Sequence, residues 1–177
     1  MSLHSIWKTL QLSEDYLTTT SLWLAEERNL HDSSLIFFRD AGKLLGLSIA
    51  DYQLAHLAFF MSILGAERAL KRHYQNEKTP FKEMLQQTVA DGLVNDAIFE
   101  RIDPFSKDLI RLVDKEHRKS SHSQKLVSLI PELRNRFFHG EYWQSPEFLP
   151  LTLQMRHITD ALQTQDVLPL RRPSSRR

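Results

Sequence analysis

Residues 51–74, DYQLAHLAFFMSILGAERALKRHY, decide the fold. Leu54, Leu57, Ala58, Met61, Leu64, Gly65, Arg68 and Ala69 recur at steps of three and four. That is the period of one helix face, so the spacing predicts a long helix with a single buried stripe. Ser48, with Asp51 three residues later, resembles a capping box, although the box prefers Glu or Gln there. The helix is expected to run to about Tyr74. Its most apolar part, residues 54–66, is broken by His56 and Ser62 and is shorter than the roughly 18 to 20 residues of a membrane span.

Working outward, the same period recurs on both sides. Ser13 before Glu14 and Asp15 is an N-cap with first-turn acids, opening a helix to about Leu30. Asp32 and Ser33 are candidate caps for SLIFFRDAGKLLG, with Gly46 as its stop. Downstream, Thr79 as N-cap and Pro80 at the first helical position open another helix, which Gly92 ends in a left-handed conformation. IDPF (102–105) breaks the chain, KDLIRLVDKEH reads as a short amphipathic helix and RKSSHS (118–123) as a polar link. In the segment 124–138, Pro131 either kinks one helix or marks the first turn of a separate one. A proline-punctuated loop and a final helix, LTLQMRHITDALQ, follow. The chain has five glycines, and no short alternating run bounded by turns reads as a strand. The reading is all-α: one helical domain over residues 1–165, then a basic tail over 166–177 expected to be disordered.

Composition narrows the chemistry. A chain of 177 residues can bury an adequate core without staples. It has no cysteine, which removes disulfides, thiol nucleophiles and cysteine-ligated metals. The net charge of +1 hides an asymmetry: with the four tail arginines set aside, 19 basic residues stand against 22 acidic ones. A basic tail suits nucleic acid or an acidic partner, or is a solvated terminus. No basic segment, apolar run and small-residue cleavage site open the chain, so the expectation is a soluble, cytoplasmic protein without a membrane role. Glycine-rich phosphate loops, nucleophile elbows and paired-carboxylate motifs do not occur.

One short stretch remains to be explained. LRNRFFHGEYW, residues 133–143, keeps Arg134, Asn135 and His139 among Leu133, Phe137 and Phe138. At about 100° per residue, Asn135 and His139 share a helix face, with Arg134 about 100° from the first and 140° from the second. An arginine's reach around the helix rim closes that gap, or a second subunit supplies it. The aromatics would pack the helix while the polar trio looks into a cleft. Read structurally instead, His139 complements the negative end of a helix, Asn135 is solvated and Arg134 pairs with Glu132 or Glu141.

The arrangement Arg134, Asn135 and then His139 before Gly140 resembles the signature of the HEPN superfamily (higher eukaryotes and prokaryotes nucleotide-binding domains). The resemblance spans residues 49–162 as a pattern, and its specific part is residues 134–139. It implies an all-α bundle with the motif at the end of a late helix, faced by a polar or acidic residue from an earlier one; Glu67 is the counterpart here. It also implies a metal-independent endoribonuclease with Arg134, Asn135 and His139 as catalytic residues, RNA as substrate and no cofactor. A homodimer with a composite site follows from the same resemblance, as does a toxin–antitoxin, phage-defence or stress-response setting with an antitoxin or other regulatory partner. The alternative is a non-catalytic HEPN-like module that binds RNA or a protein partner.

Other polar clusters are weaker. His117 and His122 with Glu116 lack the further ligands of a zinc site. His56 reads as a core histidine. His73 with Lys71 and Arg72 is a basic helix end that could line a phosphate groove. Trp7, Trp23 and Trp143 read as core or interface anchors, and Glu67 beside Arg68 is open between a site residue and the rim of the apolar stripe. The aromatics of LIFFRD and FFHGEYW exceed what one small bundle hides, which predicts a two-fold dimer with the motif helix near its interface.

Overall fold

The computed structural model describes residues 3–28, 30–96, 122–139 and 148–166, and among these it holds seven α-helices and no strand. They are α1 (Ser5–Thr9), α2 (Glu14–Leu24), α3 (Asp32–Leu47), α4 (Gln53–His73), α5 (Phe81–Ala90), α6 (His122–Phe138) and α7 (Phe148–Asp166). The all-α expectation therefore holds. None of the described helices is long and apolar enough to cross a membrane. IDPF, KDLIRLVDKEH, Glu116, His117, Gly140, Glu141, Trp143 and residues 167–177 of the tail lie outside the described residues; Asp166, read as the first residue of the tail, ends α7.

The central helix is α4, packed between α3 on one side and α7 on the other. Two neighbours bury more of it than one stripe. Ala55, Ala58, Phe59, Ser62, Ile63, Gly65, Ala66, Ala69 and Leu70 are buried, while Leu57 stays 40% exposed and Arg68 is exposed. The stripe read from the sequence is thus turned partly toward solvent. The small residues won the inside because they let the helices approach closely. A Cβ on Gly65 would lie 2.7 Å from the Phe38 ring, and one on Gly42 would lie 2.5 Å from the Ser21 carbonyl. The motif helix α6 packs chiefly on α5 and touches α4 more lightly.

Several helix ends differ from expectation by short steps. Ser13 caps α2 as anticipated, accepting from the Tyr16 amide, but α2 stops at Leu24 rather than near Leu30. The α3 cap is His31, whose ring nitrogen accepts from the Ser33 amide at 3.3 Å. Gly46 is inside α3, which ends at Leu47. Ser48 closes α3 instead of opening α4, its hydroxyl donating to the Leu45 carbonyl at 2.6 Å; Asp51 accepts from the Gln53 amide at 3.0 Å. Pro80 stands at the cap position of α5, one residue before its first turn. Gly92 follows that helix with φ of 72°, the left-handed stop read from the sequence. Pro131 lies inside a single continuous α6 and is buried.

Two buried polar devices tie the bundle together. The Trp7 indole donates to the Ser48 carbonyl at 2.6 Å, fastening α1 to the α3–α4 turn. Arg156 of α7, 2% exposed, donates to the carbonyls of Trp23, Leu24, Glu26 and Arg28 and to the Asp160 carboxylate. Its cationic fork closes the C-terminal end of α2, where helix carbonyls lack partners and the dipole is negative. His56 is 2% exposed, edge-on to Phe148 at 4.1 Å. Burial pushes its imidazole below the usual range, against a hydrogen bond at the Gln53 backbone that raises it.

Candidate functional site

The last turns of α4, the 77–80 turn, the start of α5 and the second half of α6 converge on a cleft of about 350 Å³. Its walls are Glu67 and Lys71 of α4, Glu77 to Pro80 of the turn, Phe81 and Lys82 of α5, and Pro131, Arg134 and Asn135 of α6. Two of the three motif residues are therefore together with Glu67, although 67 positions separate Glu67 from Arg134 in the chain.

The contact is an ion pair. Arg134 Nη2 donates to Glu67 Oε2 at 2.9 Å, with the two side chains 25% and 13% exposed. Lys71 Nζ reaches the other oxygen, Oε1, at 3.1 Å, one helical turn along α4. A carboxylate shared by two cations in a partly desolvated setting is a strong orienting device. The guanidinium also lies 4.8 Å from the centre of the Phe138 ring and 5.9 Å from that of Phe81. Its Nε is buried and has no hydrogen-bond partner among the described residues. The pairing of Arg134 with Glu132 does not occur, because Glu132 is taken by Arg136 at 2.8 Å.

His139 stands elsewhere. It is the first residue past α6, its amide donating to the Asn135 and Arg136 carbonyls at 3.0 and 3.1 Å. The residue is exposed and does not line the cleft. The trio was expected to look into one cleft; within one chain only Arg134 and Asn135 do. The aromatics beside them behave as packing: Phe137 stacks on Phe60 at 4.4 Å, and Leu133 is buried. Phe138, by contrast, is 57% exposed.

The sequence marks Lys71, with Arg72 and His73, as a basic helix end that could line a phosphate groove, and Lys71 does line this cleft. Thr79 and Pro80 read only as a helix start, and Lys78 and Lys82 belong to no motif. The signal available was local: two lysines bracket a helix start in KTPFK, where amide donors also point outward. Arg68 is not part of the wall and turns to Glu77 at 3.4 Å. No group of three or more His, Asp or Glu among the described residues is placed to hold a metal ion.

Taken together, the cleft can attract an anion, hold it against an oriented guanidinium and offer amide and hydroxyl donors from Asn135 and Thr79. Comparison with protein-family models, curated proteins and solved structures finds no match for this chain.

Proposed function

We propose that this chain is a metal-independent endoribonuclease of the HEPN kind, cytoplasmic and working as a two-fold dimer. The observation that carries the reading is the placement of Arg134 and Asn135 on a basic cleft, with His139 exposed one helical turn beyond Asn135. In this scheme Arg134 grips the scissile phosphate and stabilises the charge that develops on it. His139 takes the proton from the ribose 2′-hydroxyl or returns one to the leaving oxygen. Asn135 orients the imidazole or the strand, and Glu67 holds Arg134 in place. The nucleophile belongs to the substrate, so the chain needs neither a cysteine nor a metal for it.

His139 lies outside the cleft of its own chain, and a second subunit is the natural way to complete the site. An apolar surface beside the motif supports this. Leu57 and Phe138 are exposed by 40% and 57%, and Phe60, three residues after Leu57 on α4, is in contact with both Phe137 and Phe138. A two-fold axis across that surface would bring two α6 ends together. Sedimentation at micromolar concentration should give a dimer, and a monomer would remove the composite site.

A second reading is favoured by one feature. Arg134 is already engaged by Glu67, which suits a non-catalytic module that binds RNA or a regulatory partner such as an antitoxin. Cleavage assays on a broad panel of single-stranded RNAs, with EDTA present, separate the two. The ribonuclease reading expects cutting that His139→Ala abolishes. Arg134→Ala should raise the barrier by about 2.7–4 kcal/mol, the scale of removing one preorganised donor to a transition-state anion, and Asn135→Ala should be milder. No cutting by the folded wild-type protein would leave the binding module.

A further inference from the structure

The cleft has more positive charge than the motif needs. Its walls carry four cations (Lys71, Lys78, Lys82 and Arg134) against two carboxylates, Glu67 and Glu77. Both carboxylates are already committed: Glu67 to Arg134 and Lys71, and Glu77 to Arg68 at 3.4 Å. Lys78 and Lys82 are exposed and make no ion pair among the described residues. Between them begins α5, a ten-residue helix whose cap position, Pro80, gives no side-chain hydrogen bond. The first-turn amides there have no capping side chain, and they stand on the same wall as the two lysines. Asn135 and Thr79 add neutral donors.

We propose that this cleft holds a second, non-scissile phosphate of the RNA strand, gripped by Lys78, Lys82 and the first-turn amides of α5. The inference rests on the ribonuclease reading for the identity of the strand, though not for the chemistry of the cleft. Arg134 stands at the boundary of the two positions. The phosphate on its α5 side sits in the cleft, and the phosphate on its His139 side is the one cut. The cleft thereby fixes which bond of a bound strand reaches the imidazole. A surplus of two cationic groups suits a phosphate diester neighbour better than a neutral ligand.

Binding is measured in the His139→Ala background, so that the strand stays intact, and the perturbation is Lys78→Glu with Lys82→Glu. Polarisation of a labelled single-stranded RNA across a salt series reads the number of phosphate contacts. Losing this one phosphate should lower the slope of log affinity against log salt by about 0.7, the value per neutralised phosphate on a single strand. Affinity at low salt should fall at least tenfold. A reversal of the same net charge at Lys8 and Lys43, both exposed and away from the cleft, should leave the slope unchanged. Equal slopes for the cleft variant and its parent overturn the inference, as does an equal effect from the distant reversal. A parallel titration uses inorganic pyrophosphate. If the cleft variant loses pyrophosphate binding but the parent binds no RNA, the phosphate site stands and the ribonuclease reading fails. Loss of pyrophosphate binding with RNA affinity untouched overturns the strand assignment. Absence of binding to either probe by the parent overturns the whole inference.

Discussion

Replacing Arg156 with Met tests whether one buried guanidinium holds α2 and the turn after it to α7. The substitution keeps an unbranched apolar stem of similar reach and removes every donor. Arg156 is 2% exposed and donates to four carbonyls between Trp23 and Arg28 at 2.7 to 3.3 Å. It also pairs with Asp160 at 2.9 Å and lies 5.4 Å from the Trp23 ring. Hydrogen bonds from a charged donor contribute about 1.5–3 kcal/mol each when measured singly, but five from one side chain do not add. The better guide is the removal of one partner from a buried charge pair, about 3–5 kcal/mol. At roughly 2–4 °C per kcal/mol for a chain of this size, the melting temperature should fall by about 6–20 °C. Urea unfolding followed by circular dichroism gives the free energy directly. A loss below about 1 kcal/mol, within the range of a surface ion pair, would refute the role of this residue as the closure of α2.

Three further outcomes follow from the same packing. Gly65→Ala should destabilise, because its Cβ meets the fully buried Phe38 ring: overpacking costs about 1–3 kcal/mol and exceeds the gain of up to about 1 kcal/mol from helix propensity. A more stable variant in urea would contradict the close approach of α3 and α4. Trp7→Phe should cost about 1–3 kcal/mol by stranding the buried Ser48 carbonyl, and an unchanged midpoint would show that α1 is held by apolar contacts alone. Asp160 is raised above the usual carboxylate range, first by burial, with Arg156 opposing. Its contribution is therefore fully present below the unfolded pKa and lost as pH rises through the raised folded value. The stability of the wild type relative to Asp160→Asn should fall across that window as pH rises, and a constant difference would refute it.

The helices were legible because their signals are local. Ser13 capping α2, the left-handed Gly92 and the long run ending at His73 each depend on a few adjacent residues. Boundaries slipped where one residue could serve two neighbours. Ser48 had the chemistry of a helix start, but its hydroxyl bonds backward to Leu45 and closes α3. An imidazole took the α3 cap in place of the more usual Asp32 or Ser33. The inner face of α4 was legible in part: Ala58, Gly65 and Ala69 of the stripe are buried, but Leu57 stays exposed, because packing between two helices rewards the smaller residues. The motif was visible as a cluster along one helix. Of its environment only Glu67 was legible, through the resemblance, and it does meet Arg134; the Lys78–Lys82 wall depends on how α4, α5 and α6 meet.

The central claim is that the substrate's own hydroxyl is the nucleophile, with His139 moving the proton. Mass spectrometry of the ends left on a defined single-stranded RNA tests it most directly, using wild type and His139→Ala in EDTA. Products ending in a 2′,3′-cyclic phosphate are expected from the wild type, and intact RNA from the variant. Products with a free 3′-hydroxyl, cutting that disappears with EDTA, or undiminished cutting by His139→Ala would contradict it.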